Sequence, residues 1–287
     1  MKTGLIIIHY NDYESTKSLI ENIKDYSVID RVIIVDNNSK QEIKEKIKKL
    51  SSKKVKIIEN EQNIGFASAI NTGSKALIKE LGKCNIIISN ADIIINKEED
   101  IKELLKELKK KDVGVVAPTI VENNSLNRGW KQPSPFLDSM LNLIYIHRFL
   151  RKKYVFYKEK YYQDKTSIVD VVSGCFFLIK SETLEKINYL DENTFLYYEE
   201  NILAKKIKEE KLNLIICNDI LVIHNHSVSI DKNLKKIKKL KIQKQSQYYF
   251  QTKYNNANRF ERLLLKITSF TSRVILTVVY FIKDLRK

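Results

Sequence analysis

The chain has 287 residues, 43% of them hydrophobic, with only seven Gly and three Pro; it can bury the core of one large domain or two modest ones, and a disordered or linker-rich protein is excluded. Its three cysteines, Cys84, Cys175 and Cys217, are isolated and form no CxxC pair, which fits a reducing compartment and small core residues rather than ligands. The formal charge of +16 is uneven: residues 231–287 hold 15 Lys and Arg against 3 Asp and Glu, and the rest hold 36 against 32, so a nearly balanced body carries a cationic tail suited to phosphate on lipid or nucleic acid.

Met1-Lys2 runs straight into the strand-like GLIIIHY with no small-residue cleavage site, so no signal peptide is expected. Apolar β-branched runs at Leu5–Ile8, Val32–Val35, Val55–Ile58, Ile86–Ile88 and Val113–Val116 alternate with helical patterns over 14–25, 40–50, 66–81 and 98–111. That rhythm predicts right-handed βαβ crossovers and an α/β fold with a mostly parallel sheet between helices. Such sheets bind ligands beyond the carboxyl ends of their strands, where Asn11, Asp36 and Asp92 emerge.

After Pro118 the rhythm changes. Residues 119–165 are polar and aromatic, with Trp130, Pro133, Pro135 and many tyrosines, and read as a long excursion from the sheet. IVDVVSGCFFLI (168–179) reads as one strand, followed by a short helix near 182–188, the acidic FLYYEEN (195–201), a further helix, and strand-like LNLIIC and ILVIH ending at His224. Residues 1–118 and 119–230 are taken as two halves of one domain and 231–287 as a basic helical extension.

The first strand is followed by HYNDYES, with no glycine, so the GxGxxG of a dinucleotide site is missing, as is a P-loop. No GxSxG elbow occurs; SGC (Ser173–Cys175) lacks the second spacing. Side chains and a metal are therefore expected to hold the ligand.

Seven motifs stand in order: IIIHYN near the start, VDNNS (35–39), NIGFASAINTG (63–73), SNAD (89–92), VVSGCFFLIK (171–180), LDENTFLYYEENILAKK (190–206) and VIHNHSVS (222–229). Together, over about Leu5 to Ser229, they resemble the family 2 glycosyltransferases of GT-A fold. The NxGFAxAxNxG run and FLYYEE look most like bacterial enzymes that add rhamnose, galactofuranose or similar sugars to surface polysaccharides.

The resemblance implies a nucleotide-sugar donor held by Asn11, Asp36, Asn63, Gly65, Asn71, Asn90 and Asp92. Asp36 would accept from the base or ribose; the alternative is a turn or helix cap, for which DNNS is excellent material. Gly65 and Gly73 would permit close backbone approach, while Asn63 and Asn71 shape the pocket; small residues packed on the sheet are the alternative for Asn71 and Gly73. The family's DxD motif holds a divalent cation, Mn²⁺ or Mg²⁺, on the donor diphosphate. Here Asn90 replaces the first Asp, leaving Asp92 as the carboxylate for the metal, or a capped strand end. His224 would complete the site, with His226 as its rival, and an imidazole ligand suits Mn²⁺ better than Mg²⁺. The catalytic base maps to Glu200, where the family usually has Asp, with Glu199 beside it; an acidic pair also suits a helix N-terminus.

In the tail, Leu234, Ile237, Leu240 and Ile242 lie among seven lysines, and residues 262–287 carry a broad apolar face broken by Lys266 and Arg273. These basic helices are expected to lie on the inner membrane surface rather than span it, or to pack on the domain or a second subunit. No groove-reading motif points to nucleic acid. The reading is a cytoplasmic, peripherally membrane-bound, inverting, metal-dependent glycosyltransferase that uses a UDP- or dTDP-sugar and a surface-polysaccharide or lipid-linked glycan acceptor. The alternative is a catalytically inactive nucleotide-sugar-binding protein.

Overall fold

The isoleucine-rich runs become the centre of a mixed sheet. In the computed structural model, which describes residues 1–225 and 236–285, β1 (Lys2–His9), β2 (Arg31–Asp36), β3 (Val55–Glu59) and β4 (Cys84–Asn90) pair in parallel in the order β3-β2-β1-β4. Helices α1 (Tyr13–Ile23), α2 (Gln41–Lys48) and α3 (Phe66–Leu81) make the crossovers. β1, β2 and β4 are buried on both sides, as parallel strands between helices must be, while the edge strand β3 exposes Lys56 and Glu59. Leu5, Ile7, Val32, Ile34 and Ile87 pack toward Leu19, Ile23 and Ile47. Their neighbours Ile6, Ile33, Val35, Ile86 and Ile88 pack toward Ala69, Ile70 and Leu77 of α3. Gly73 lets α3 lie close, since a Cβ there would stand 2.6 Å from the Ile6 side chain.

Beyond β4 the chain adds β5 (Ile93–Ile95), α4 (Glu98–Leu108), β6 (Val113–Glu122) and β7 (Ser125–Asn127). The short helices α5 (Pro135–Met140) and α6 (His147–Leu150) follow, then β8 (Thr166–Val169), β9 (Phe176–Lys180), α7 (Ser181–Lys186), α8 (Glu199–Glu209) and β10 (Asn213–His224). The sheet continues β4-β9-β6-β10-β5, with β9 antiparallel to both of its neighbours and β10 parallel to β6. Residue 118, where the two halves were divided, lies inside β6.

Two strand expectations change. The run 168–179 is two strands, β8 paired with β10 and β9 inserted between β4 and β6. The link at Ser173-Gly174 leaves the sheet to line a cavity. LNLIIC and ILVIH form one strand, β10, with a register shift between Cys217 and Leu221. Cys217 pairs there with Pro118, which has no N–H to give a ladder.

The basic extension forms α9 (Lys236–Lys253) and α10 (Arg259–Leu285). The buried face of α9 is Ser246, Gln247, Phe250 and Gln251, while Ile237 is exposed. This differs from the apolar face expected over 234–242, of which Leu234 lies outside the described residues, because α9 docks on buried polar groups. Gln251 Nε2 donates to Asp138 Oδ2 at 2.7 Å and Gln247 Nε2 to the Asp138 carbonyl at 3.1 Å. α10 packs on α5 and α9, with Thr268 accepting from the Asn142 amide at 3.0 Å.

Candidate active site

At the carboxyl edge of β1, β2 and β4 lies a cavity of about 1170 Å³. Three groups of residues meet in it.

The first group is the end of β2 and the 60–65 loop. Asn37, which follows Asp36, donates from Nδ2 to Asn63 Oδ1 at 2.9 Å and to the Gly65 carbonyl at 3.1 Å. Its own Oδ1 accepts from Asn60 and from the Ile64 amide. Gly65 has φ +85°, and a Cβ there would stand 2.6 Å from the Phe195 carbonyl, so only glycine fits. The next amide, Phe66 N–H, donates to that carbonyl at 2.9 Å, joining this loop to the acidic FLYYEEN segment.

Asn63, Gly65, Asn90 and Asp92 line the cavity, as does Asn37, which the sequence reading passed over. Asn11, Asp36 and Asn71 do not. Asp36 is fully buried and accepts from the Ser39 amide at 3.1 Å and from the Ser39 hydroxyl, which is the turn role that DNNS also allowed. Asn11, at φ +54°, accepts the Lys40 amide and donates its own to Ser39 Oγ, both at 2.8 Å, closing one loop on the other. Asn71 is buried in α3, donating to the Leu190 carbonyl and Glu192 and accepting from the Leu190 amide. It holds the segment leading to FLYYEEN. A strand-end position can be read from sequence, but whether its side chain turns to the cavity or to the next loop depends on turn geometry.

The second group answers the burial of a carboxylate beside the Ile93–Ile95 run. β5 pairs antiparallel with β10, setting Ile93 opposite His224. Asp92 and His224 therefore stand side by side, Oδ1 to Nε2 at 3.2 Å, with Asn90 Nδ2 3.4 Å from the same ring nitrogen. Glu122 approaches the other ring nitrogen at 3.9 Å. Burial disfavours a charged imidazole, but Asp92 and Cys175 outweigh it and raise the His224 pKa to about 10.

No group of three or more His, Cys, Asp or Glu able to hold a metal gathers among the described residues. Asp92 and His224, one carboxylate and one imidazole side by side on the cavity wall, are of the donor types that could hold a divalent ion. His226 lies outside the described residues.

The third group is the start of α8. Tyr197 and Tyr198 both have positive φ, +72° and +68°, a strained pair of bulky residues that turns the chain into the helix. Glu199 and Glu200 follow in the first helical turn, and both line the cavity. Burial pushes both carboxyls up; Glu199, which also feels Glu200, lies well above the ordinary range, and Glu200 is raised to about 7. Gly174 leaves the space beside it open, since a Cβ there would lie 4.0 Å from Glu200 Oε2.

The lining also holds aromatic and cationic residues: Trp130, Tyr157, Tyr162 and Phe156 with Arg128, Arg151 and Lys238. Arg128 pairs with Glu159 at 2.7 Å and lies 5.1 Å from the Tyr162 ring centre. The sequence reading assigned no residue here, because tyrosines in a long excursion carry no periodicity that tells lining from packing.

A mixed sheet with a carboxyl-edge cavity and flanking helices is the architecture of the GT-A glycosyltransferases, and comparison with solved structures agrees. The chain resembles GalNAc-T7, solved with UDP, GalNAc and Mn²⁺, with a TM-score of 0.60 and 16% identity, covering 79% of this chain and 43% of that one. It also resembles the mannosyltransferase PcManGT from Pyrobaculum calidifontis, in complex with GDP-Man and Mn²⁺, with a TM-score of 0.58 and 12% identity over 99% of this chain and 80% of that one. S. aureus TarS gives 0.52 and 14%, covering 95% and 71%.

Residues 5–187 match Glycosyl transferase family 2, and the chain belongs to that family. A curated relative, the low-salt glycan biosynthesis hexosyltransferase Agl10 of Haloferax volcanii, is 26% identical over 225 residues, which are 78% of this chain and 67% of Agl10.

Proposed function

We propose that this glycosyltransferase works with inversion, transferring a hexose from a UDP- or dTDP-sugar to a surface-polysaccharide or lipid-linked glycan on the inner face of a membrane. The observation that carries the mechanism is the position of Glu200, a carboxyl on the cavity wall in the first turn of α8, where burial raises its pKa to about 7. A base of that strength is poised to take a proton near neutrality. Glu200 removes the acceptor hydroxyl proton, the oxygen attacks the anomeric carbon, and the bond to the diphosphate breaks with its electron pair leaving on the nucleotide. Asp92 and His224 would hold a divalent ion, Mn²⁺ or Mg²⁺, which supplies positive charge to the departing diphosphate. Asn37, Asn63 and Gly65 shape the nucleotide end, and Asn90, neutral where an acid is usual, is placed for donor hydroxyls. Asp36, which accepts from Ser39, would steady the turn that carries Asn37.

Calorimetric titration with UDP and dTDP, with Mn²⁺ or chelator, tests the donor site, and turnover of Glu200→Gln tests the base. The expected results are ion-dependent binding lost in Asp92→Ala, and a Glu200→Gln enzyme that binds nucleotide normally but turns over roughly 10²–10⁴-fold more slowly. Normal turnover by Glu200→Gln would remove the base assignment. Donor binding with no transfer by the native chain would favour an inactive binding protein, the reading to which Asn90 points.

A further inference from the structure

α10 is built the wrong way round for a helix of a water-soluble domain. Its face toward α5 and α9 includes buried Thr268 and Ser272 beside Leu265. Its outer face carries Phe260, Leu263, Ile267, Phe270, Val274 and Val278, each between 47% and 65% exposed. The spacing of three and four residues sets them in one stripe. A second apolar cluster stands beside it. Asn142 is bonded to Thr268 and Ser269 at the middle of α10, and a few residues on come Tyr145 (90% exposed), Ile146 and Phe149 (63%). The same segment carries Arg148, Arg151, Lys152 and Lys153 and no acid. It ends in the cavity, because Arg151 and Phe156 are both exposed and both lining, as is Lys238 of α9.

We propose that the outer stripe of α10 and residues 145–153 form one surface that seats on an anionic bilayer, with the rim of the catalytic cavity turned toward the headgroups. Exposed apolar stripes of this extent mark a partner surface, and the basic residues around it choose the partner. Lys and Arg flank both clusters, which complements an anionic membrane and would repel a second copy of this strongly cationic chain. No helix among the described residues is long and apolar enough to cross a membrane. α10, at 27 residues and about 40 Å long, is therefore placed to lie along the interface. The orientation rests on the proposed function of the cavity; the docking itself does not.

The test uses the full chain and vesicles of phosphatidylcholine, alone or with roughly a third phosphatidylglycerol. Sedimentation should show binding to the anionic vesicles and little to the neutral ones. The triple variant Leu263→Ser, Ile267→Ser, Phe270→Ser and, separately, Tyr145→Ser with Phe149→Ser should each reduce that binding roughly tenfold or more. Both should keep the thermal unfolding midpoint and nucleotide binding of the native chain. Equal binding to both vesicle types, or variants that bind like the native chain, would overturn the proposal. So would a lipid-independent dimer that the α10 variant dissolves. Nucleotide binding in the same samples separates failure of the docking surface from failure of the active-site reading.

Discussion

Glu200 and Glu199 show what one added carboxylate does to its neighbour. Two acids in the first turn of a helix were readable as a favourable N-terminus or as a catalytic pair, and the structure gives them both the helix position and the burial that lifts their pKa values. Because Glu200 titrates near pH 7, kcat/KM should rise with pH through a limb centred near that value. The Glu200→Asp variant should retain a weaker, shifted limb, and a profile flat between pH 5 and 9 would exclude Glu200 as the titrating base. Stability should move the opposite way. A carboxyl with a raised folded pKa contributes most below its unfolded value and loses that contribution as pH rises through its folded pKa. Glu200→Gln should therefore gain roughly 1–3 kcal/mol relative to the native chain between pH 5 and pH 8, read from denaturant midpoints. Asp92 and His224 were expected together only from the resemblance; the element that brings them side by side, the antiparallel return of β5 along β10, was not legible in the residues. Asn71 and Asp36 show the reverse, motif residues whose amide or carboxylate is spent inside the scaffold.

Among the elements, the strands and helices of the first half were legible because each apolar run is flanked by a helical period, and α3 begins and ends where the pattern places it. The break at Ser173-Gly174 and the single strand β10 were not, since apolar content alone cannot tell a cavity-crossing link from a strand. The element with the largest unforeseen role is α9. Ser246 Oγ donates to the Leu196 carbonyl at 2.8 Å, and Tyr198 OH donates to Asp138, which also receives Gln251. On the other side of the loop, Tyr249 and Tyr254 both donate to Asp191. The strained Tyr197-Tyr198 turn that aims Glu200 is thus braced by α9, by Tyr254 just after it, and through Asp138, on which Tyr198 and Gln251 both converge. Tyr198→Phe should cost about 1–3 kcal/mol, because Asp138 loses a buried donor, and should lower kcat more than it alters nucleotide affinity. An unchanged kcat would mean that the turn holds Glu200 without this bond.

On the scale of the whole molecule, the cationic tail was plain from composition, but the direction of its apolar faces was not. A helix with one apolar side is ordinarily expected to bury it, and α10 instead buries Thr268 and Ser272 and leaves its large side chains outside. Charge and exposure together predict how the molecule responds to salt. Raising ionic strength should weaken its attachment to anionic vesicles steeply, and should affect the proposed nucleotide binding in the cavity much less. Parallel losses of both would place the cation-rich surface and the donor site in one electrostatic unit.

The polar seam under α9 also sets a rule for anyone trimming or recombining this protein. A cut before residue 236 would strip partners from Asp138, Asp191 and the Leu196 carbonyl, so a fragment ending at β10 would keep every residue proposed for catalysis and lose the brace that aims one of them. The smallest useful transferase must keep α9. Chimeras that graft a relative's extension onto this body would need matching residues at 138, 191 and 198, whereas the outer stripe of α10 offers positions where solubility can be engineered without touching that brace.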